Sequence, residues 1–179
     1  MDDNFFEIDP ADIMHEKVFI ASGHVDSFVD PVVKCKKCGN FERADQIMEQ
    51  ELKENFEGLS TKELSEIIKK HNIKCPKCGG NLEDVGTFNM LFPLTVGVEN
   101  PQKAYPRGET AQAAYVNFRR EFETLRKQLP MGLAIVGRAY RNEISPRQLL
   151  MRMREFTQAE LQIFFDPDKI EEHPDFGNV

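Results

Sequence analysis

The clearest chemical pattern in the sequence is a pair of Cys-x-x-Cys motifs. They contain all four cysteines of the chain, Cys35 and Cys38 in the first motif and Cys75 and Cys78 in the second. Two intervening residues allow one tight turn to direct both thiolates at one ion, and the glycine after each motif lets the backbone close. Two such turns supply the four ligands of a tetrahedral zinc site. We predict a structural Zn²⁺, because four cysteines leave no open coordination position for catalysis.

Two other uses of the cysteines are weighed against zinc. Disulfides need an oxidising compartment, and the start of the sequence, Met1–Asn4, lacks the basic and apolar segments of a signal peptide. A redox pair needs only one Cys-x-x-Cys motif, whereas a metal site uses both. No stretch approaches the roughly 18 apolar residues that a membrane helix needs. We therefore expect a cytoplasmic protein with no membrane partner.

The composition is that of a globular protein with an excess of acidic residues. The 179 residues are 40% hydrophobic and 30% charged, and 30 Asp and Glu against 23 Lys and Arg give a formal charge of -7. An acidic chain is a poor non-specific binder of nucleic acid. Arginine is nevertheless dense between Arg138 and Arg154, which predicts a local basic surface.

Helices are predicted between the two cysteine motifs. The motifs are 36 residues apart, more than the roughly 15 to 20 residues of a simple zinc ribbon. Apolar spacing predicts one helix over 43–56, and Ser60 with Glu63 predicts a capping box for a second helix that ends at Lys70. The predicted regions are a first part of the core (1–30), a zinc-bearing helical insertion (31–85) and the rest of the core (86–179).

The second half is predicted to position the arginines on a hairpin. Residues 87–96 read as a strand and 109–129 as an amphipathic helix. Two strands, 133–141 and 149–156, are predicted to form the hairpin, with a short helix over 157–165 after it.

Alternation along the second hairpin strand would place Arg152, Arg154 and Phe156 on one face. Guanidinium groups bind phosphates and an aromatic ring stacks on a base, so this face suits a nucleotide. Cross-strand ion pairs among Arg141, Arg152 and the acids Glu143 and Glu155 explain the pattern equally well. Spacing alone leaves both interpretations open.

Two glutamates have local structural explanations. Glu160 follows Thr157 by three residues, as in a capping box that begins a helix. Glu109 lies at the start of a predicted helix, where the helix dipole favours an acid. Spacing alone therefore assigns neither glutamate to a ligand.

Longer segments resemble a known enzyme family. Arg141-Asn-Glu-Ile-Ser-Pro-Arg147, followed by Arg152-Met-Arg-Glu-Phe-Thr-Gln-Ala-Glu160, resembles motif 2 of class II aminoacyl-tRNA synthetases. The resemblance is strongest to the glycyl-tRNA synthetases of the archaeal and eukaryotic homodimeric type. Further segments occur in that family's order: 21–28, 43–45, 88–92 and 107–112. It implies an α+β fold, an antiparallel sheet flanked by helices, which is the class II catalytic core with a zinc-bearing insertion.

The resemblance also implies roles for individual residues. Arg141 would be catalytic, stabilising the charge that develops on the α-phosphate of ATP when the glycine carboxylate attacks it. The residues implied for ATP, which binds with Mg²⁺, are Arg141, Asn142, Glu143, Arg152, Met153 and Phe156. Those implied for glycine are Glu109, Gln158, Glu160 and Arg43. The loop 145–149 would lie toward the tRNA acceptor end.

The sequence also departs from the family. Gly108 stands where the family has proline, and motif 3 and the anticodon-binding domain are absent. We therefore expect an internal part of a glycine–tRNA ligase, active with its missing segments, as a homodimer or with a complementary synthetase fragment. The alternatives are a class II synthetase for another amino acid, such as the prolyl or threonyl type, and a non-catalytic zinc-containing module that binds RNA or protein.

Overall fold

The computed structural model describes residues 4–56, 58–126, 128–144 and 152–172, and the chain divides into two compact units. Unit 1 contains Met1–Ser22, Leu91–Tyr140 and Glu155–Val179, and unit 2 contains Gly23–Met90 and Arg141–Arg154. Within the described ranges, no helix has the length and apolar character that crossing a membrane requires.

The elements alternate irregularly between strands and helices. In chain order they are β1 (Phe5–Glu7), β2 (Ile13–His15), α1 (Glu16–Ala21), α2 (His24–Ser27), β3 (Val29–Lys34), β4 (Phe41–Arg43), α3 (Ala44–Leu52), α4 (Thr61–Lys70), β5 (Gly86–Asn89), β6 (Leu94–Val96), β7 (Gln102–Pro106), α5 (Ala111–Leu125), β8 (Met131–Tyr140), β9 (Glu155–Phe164) and a 3-10 helix (Pro167–Glu172).

Unit 1 contains two three-stranded sheets, ordered β1-β8-β9 and β2-β7-β6. The pairs are antiparallel except for β1 with β8, which is parallel. Alternate residues of β8 face inward, and Leu133 and Ile135 pack with Ala113 and Ala114 of α5 in one core. The two alanines are fully buried, and their small side chains allow the helix to approach the sheet closely.

Unit 2 contains the sheet β4-β3-β5, which is antiparallel throughout, with α3 and α4 packed in its core. The predicted capping box of α4 is confirmed. Ser60 Oγ accepts from the N–H of Glu63 at 3.3 Å, and the Glu63 carboxylate accepts from the N–H of Ser60 at 2.8 Å. Leu64 and Ile68, one turn apart, carry the buried face of this helix.

The prediction of a strand over 149–156 and a helix over 157–165 is wrong. β9 runs from Glu155 to Phe164 and pairs with all ten residues of β8. Its burial alternates strictly, with every second residue from Phe156 onward partly buried. Hydrogen bonds along ten residues of the ladder stabilise a strand more than the capping-box pattern at Thr157 stabilises a helix. Because β9 begins at Glu155, Arg152 and Arg154 lie before the strand rather than on it. Residues 149–151 lie outside the described ranges.

Other predicted boundaries shift less. The helix predicted over 109–129 is α5, which ends at Leu125 because Arg126 adopts a left-handed φ of +51°. The strand predicted over 87–96 is two strands, β5 and β6, separated by a segment that contains Pro93. Proline lacks an N–H and restricts the residue before it, so a continuous ladder is disfavoured there.

Candidate functional site

The four cysteines come together in unit 2, as predicted. Their Sγ atoms all lie within 4.8 Å of one another, with 3.5 Å between Cys35 and Cys78 and 3.7 Å between Cys38 and Cys75. All four are free thiols. A tetrahedral zinc ion bound at about 2.3 Å holds its sulfurs about 3.8 Å apart. The size of the cluster therefore fits one such ion.

The two cysteine turns share one hydrogen-bonding pattern. In each, the N–H of the first cysteine donates to the carbonyl five residues later, and its own carbonyl accepts from the glycine four residues later, all at 2.9 to 3.0 Å. These glycines, Gly39 and Gly79, have φ of +68° and +67°, a conformation that favours glycine. Each turn thus presents its two sulfurs on one side of a rigid loop.

Ionisation is unequal among the thiols. The backbone N–H of Cys38 lowers the pKa of the Cys35 thiol to about 6. The backbone N–H of Gly80 also lowers the pKa of Cys78, but the neighbouring thiols and burial outweigh it and raise that pKa to about 12. Repulsion opposes four thiolates at this spacing, and a divalent cation would relieve it.

The segment 141–143 of unit 2 is fixed by its backbone. The N–H of Arg141 donates to the carbonyl of Arg154 at 3.0 Å, and that of Asn142 to the carbonyl of Met90 at 2.7 Å. The guanidinium of Arg141 lies 5.4 Å from the centroid of the Phe28 ring, a cation–π contact. The backbone and Phe28 together orient Arg141.

Glu143 carries a buried oxygen with unused hydrogen-bonding capacity. Its Oε2 accepts no hydrogen bond from the described residues, and Arg152 Nε lies 3.9 Å from it. Arg154 instead donates to the Glu143 carbonyl at 3.0 and 3.1 Å. The ion pairing considered from the sequence is thus only partly present, since Glu155 pairs with Arg138 at 3.6 Å.

Arg43 of unit 2 is held by two buried acids. Its NH1 donates to Asp30 at 2.9 Å, and its Nε and NH2 both donate to Asp45. Asp30 and Asp45 are each only 6% exposed. Burial raises the pKa of Asp30, and the positive charge of Arg43 opposes that shift. Three of the five N–H donors of Arg43 are therefore committed within the protein.

In unit 1, Thr110 brings together two of the residues predicted for glycine. Its hydroxyl donates to Glu160 Oε2 at 2.6 Å, and its backbone N–H donates to Gln158 Oε1 at 3.3 Å. The other Glu160 oxygen accepts from the Gln162 amide at 2.6 Å. Glu109, the neighbour of Thr110, accepts from the Gln112 amide at 2.7 Å.

The loop that presents Glu109 is held by Arg107, which is 1% exposed. Its guanidinium pairs with Asp12 at 2.8 Å and donates to the Arg138 carbonyl at 2.8 Å. Its backbone carbonyl accepts from Tyr140 N–H at 2.8 Å. A Cβ at Gly137 would lie 2.2 Å from the Arg107 side chain. These contacts fix the loop although Gly108 replaces the stiff family proline.

The remaining predicted residues are placed as follows. Phe156 lies on β9 of unit 1, half-buried and paired with Ala139, whereas Met153 lies in unit 2 and is 36% exposed. The loop 145–149, predicted to lie toward tRNA, falls outside the described residues.

Comparison with known proteins shows similarity to class II aminoacyl-tRNA synthetases. A model of the tRNA synthetase class II core domain (G, H, P, S and T) matches residues 96–175. The chain is 55% identical over 177 residues to the glycine–tRNA ligase of Thermococcus sibiricus, 54% to that of Pyrococcus abyssi and 46% to that of Methanocaldococcus jannaschii. The chain corresponds in sequence to part of these glycine–tRNA ligases. Each match covers 99% of this chain but only 30 to 31% of the relative, so the chain spans about a third of those ligases.

Among solved structures, an RNA-binding domain of threonyl-tRNA synthetase from Cryptosporidium parvum matches 94% of this chain and 26% of its own, with 20% identity and a TM-score of 0.49. A likeness of that degree supports no conclusion about this chain.

Several functional candidates in this chain escaped the sequence-based prediction. Thr110, Gln162, Asp30 and Asp45 each touch a predicted site residue, yet none stood out by type or spacing. Thr110 directly follows Glu109 at a helix start, where a threonine already has an ordinary role as a cap. A hydrogen bond across 50 residues of sequence leaves no signal in local spacing.

Proposed function

We propose that this chain forms part of the catalytic core of a glycine–tRNA ligase, which activates glycine with ATP and transfers it to tRNA(Gly). The observation that carries the proposal is 55% identity to a glycine–tRNA ligase over 177 residues. Residues 1–30 and 86–179 would belong to the class II antiparallel core, and residues 31–85 to a zinc-bearing insertion. The expected macromolecular partner is a second copy of the chain or a complementary synthetase fragment.

The glycine ammonium is assigned to the carboxylates of unit 1. The two oxygens of Glu160 accept from a hydroxyl and an amide, which are both neutral donors. Charge-assisted hydrogen bonds from an ammonium to Glu160 and Glu109, with Gln158 as a further acceptor, bind a small cation strongly. Arg43, in unit 2, is also assigned to the substrate. It would donate through the two N–H groups that do not bind Asp30 or Asp45.

The residues proposed for the nucleotide are assigned one by one, each through its own chemistry. The Arg141 guanidinium would stabilise charge on the α-phosphate as the glycine carboxylate attacks phosphorus and pyrophosphate, with its Mg²⁺, leaves. The buried Glu143 Oε2 is an acceptor for a ligand N–H, such as the amino group of adenine. Arg152 and Met153 lie in the same unit, and the Phe156 ring of unit 1 would stack on the base.

The reaction needs no protein nucleophile. The glycine carboxylate is already ionised at neutral pH, and the adenylate that forms is then attacked by a ribose hydroxyl at the tRNA acceptor end, which releases AMP. Positioning and electrostatic stabilisation supply the catalysis.

A segment exchange tests this function. The 177 aligned residues of the Thermococcus sibiricus ligase are replaced by this chain, and glycine-dependent exchange of pyrophosphate into ATP is measured. We expect exchange with glycine and not with proline or threonine. Arg141→Gln in the same protein should lower the rate by about 10²-fold or more. A folded chimera that lacks exchange, beside an active parent, would contradict the proposal.

The zinc site is proposed with its own test. The protein purified without chelator should contain about one zinc per chain, and Cys35→Ser should lower that content. Chelation should unfold the insertion 31–85, because binding and folding are coupled in such sites. A zinc content near zero in folded protein would reject the site.

A further inference from the structure

Thr110 lies at the N-cap position of α5, but its side chain does not cap that helix. The side chain makes no hydrogen bond to α5. Ser60, at the same position of α4, does cap its own helix. A threonine at this position ordinarily accepts from the first helical N–H groups. The Thr110 hydroxyl is instead committed to Glu160 Oε2, at 2.6 Å.

Burial strengthens the hydrogen bond from the Thr110 hydroxyl to Glu160. Thr110 has 0% exposure, so no bulk water competes for its hydroxyl proton. A hydroxyl has a single proton, and the carboxylate of Glu160 is an acceptor of high charge density, so the bond has a defined direction. The Thr110 backbone N–H meanwhile donates to Gln158, which lies two residues from Glu160 on the same face of β9.

The second oxygen of Glu160 is held in a similar way. Gln162 Nε2 donates to Oε1 at 2.6 Å, and the Tyr115 hydroxyl lies 3.2 Å from Gln162 Oε1. The Tyr115 contact keeps the amide nitrogen of Gln162 directed at Glu160. The two neutral donors, one on each oxygen, thus hold the Glu160 carboxylate in one orientation without adding a positive charge beside it.

We propose that Thr110 is a positioning residue for amino-acid recognition, holding Glu160 and Gln158 in the orientation in which they accept from the glycine ammonium. The inference rests on the proposed function, since it takes Glu160 as the ammonium acceptor. Thr110 itself touches no substrate. It acts by fixing the direction of a charge that it does not neutralise.

The test compares Thr110→Val, which keeps the shape and removes the hydroxyl, with Thr110→Ser, which restores it. In the ligase chimera, Thr110→Val should raise the KM for glycine roughly 10-fold or more, the size expected for losing a hydrogen bond to a charged group. The KM for ATP should change less than about twofold, and Thr110→Ser should restore the glycine KM. Ser60→Ala is the matched control, because it removes a helix cap far in sequence from Glu160 and should leave the glycine KM unchanged.

An unchanged glycine KM in Thr110→Val, or an equal rise in the KM for ATP, would overturn the inference while exchange by the parent chimera still supports the proposed function. Crystal structures of the variants decide the matter independently of activity. The Glu160 carboxylate should rotate in Thr110→Val and keep its place in Thr110→Ser. The inference would also be overturned if Glu160 had the same rotamer in all three proteins. This structural result can be read even if the chimera fails to support the proposed function.

Discussion

The two units hold buried and half-buried carboxylates by opposite means. In unit 2, Asp30 and Asp45 both bind the guanidinium of Arg43, so buried negative charge meets positive charge. In unit 1, Glu160 accepts from the Thr110 hydroxyl and the Gln162 amide. An arginine orients a carboxylate and neutralises it, whereas a neutral donor only orients it. Glu160 is therefore suited to bind a cation, and the two aspartates are suited to hold a cation of the protein.

Because of this difference, the acids of unit 2 are expected to affect stability and Glu160 of unit 1 to affect ligand binding. Asp30 and Asp45 are buried, and a buried charge without its partner is strongly unfavourable. Glu160 is only half-buried, and water in the ligand-free protein can hydrate its remaining acceptor sites. Changes of charge should thus affect folding in unit 2 and ligand affinity in unit 1.

The largest effect on folding is expected from Arg43→Met. The change leaves two buried carboxylates without their cation, and the free energy of unfolding should fall by about 3 to 5 kcal/mol, as measured by urea unfolding. Arg119→Gln is the control, since its ion pair with Glu123 is exposed and worth less than about 1 kcal/mol. Equal stabilities of the two variants would remove the distinction between the units.

The same variant should acquire a characteristic pH dependence. Burial raises the pKa of Asp30, and Arg43 lowers it, so without Arg43 the folded-state pKa moves further above the unfolded value. The folded state then binds more protons than the unfolded state, and stability falls as the pH rises from about 4. Unfolding curves of Arg43→Met at pH 4 to 7 that show no such fall would indicate that the aspartates are not desolvated.

An intermediate effect is expected from Asp45→Asn. The amide keeps one acceptor oxygen but loses its charge, and its NH₂ group cannot accept from Arg43. Because Asp30 still pairs with Arg43, the loss should be smaller than for Arg43→Met, about 1 to 3 kcal/mol. Asp84→Asn is the control, because the Lys69–Asp84 pair is exposed on both sides. A control that loses as much stability as Asp45→Asn would show that burial is not the cause.

The smallest effect on folding is expected from Glu160→Gln. An amide oxygen still accepts from Thr110, and the lost charge was oriented by neutral donors, so stability should change by less than about 1 kcal/mol. The KM for glycine should nevertheless rise by about 10-fold or more, because a charge-assisted bond to the ammonium is lost. If Glu160→Gln lost stability but kept its KM for glycine, Glu160 would have a structural role rather than a role in glycine binding.

Short-range rules predicted the parts of this protein whose partners lie close in sequence. Ser60 and Glu63 are three residues apart, and their capping box follows from that spacing alone. The geometry within each Cys-x-x-Cys turn also follows from spacing, because each turn is complete in itself and closes on a left-handed glycine. The convergence of the two turns was predicted from the four ligands that a zinc ion needs. The identity of the metal stays a prediction.

The sequence by itself predicted the resemblance to glycine–tRNA ligases, through the Arg-Asn-Glu motif and its neighbours, and it determined the chemical types available to the site. Only the tertiary structure decided that Glu160 lies on a strand, because pairing with β8 stabilises ten residues where the local pattern favoured a helix. It also decided that Thr110 serves Glu160 rather than α5, and that Arg107 holds the loop that lacks the family proline. The residues involved are 25 apart for Glu160 and its partner Ile135, 50 apart for Thr110 and Glu160, and 31 apart for Arg107 and Arg138. Their proximity is a product of packing and so leaves no periodic trace in the chain.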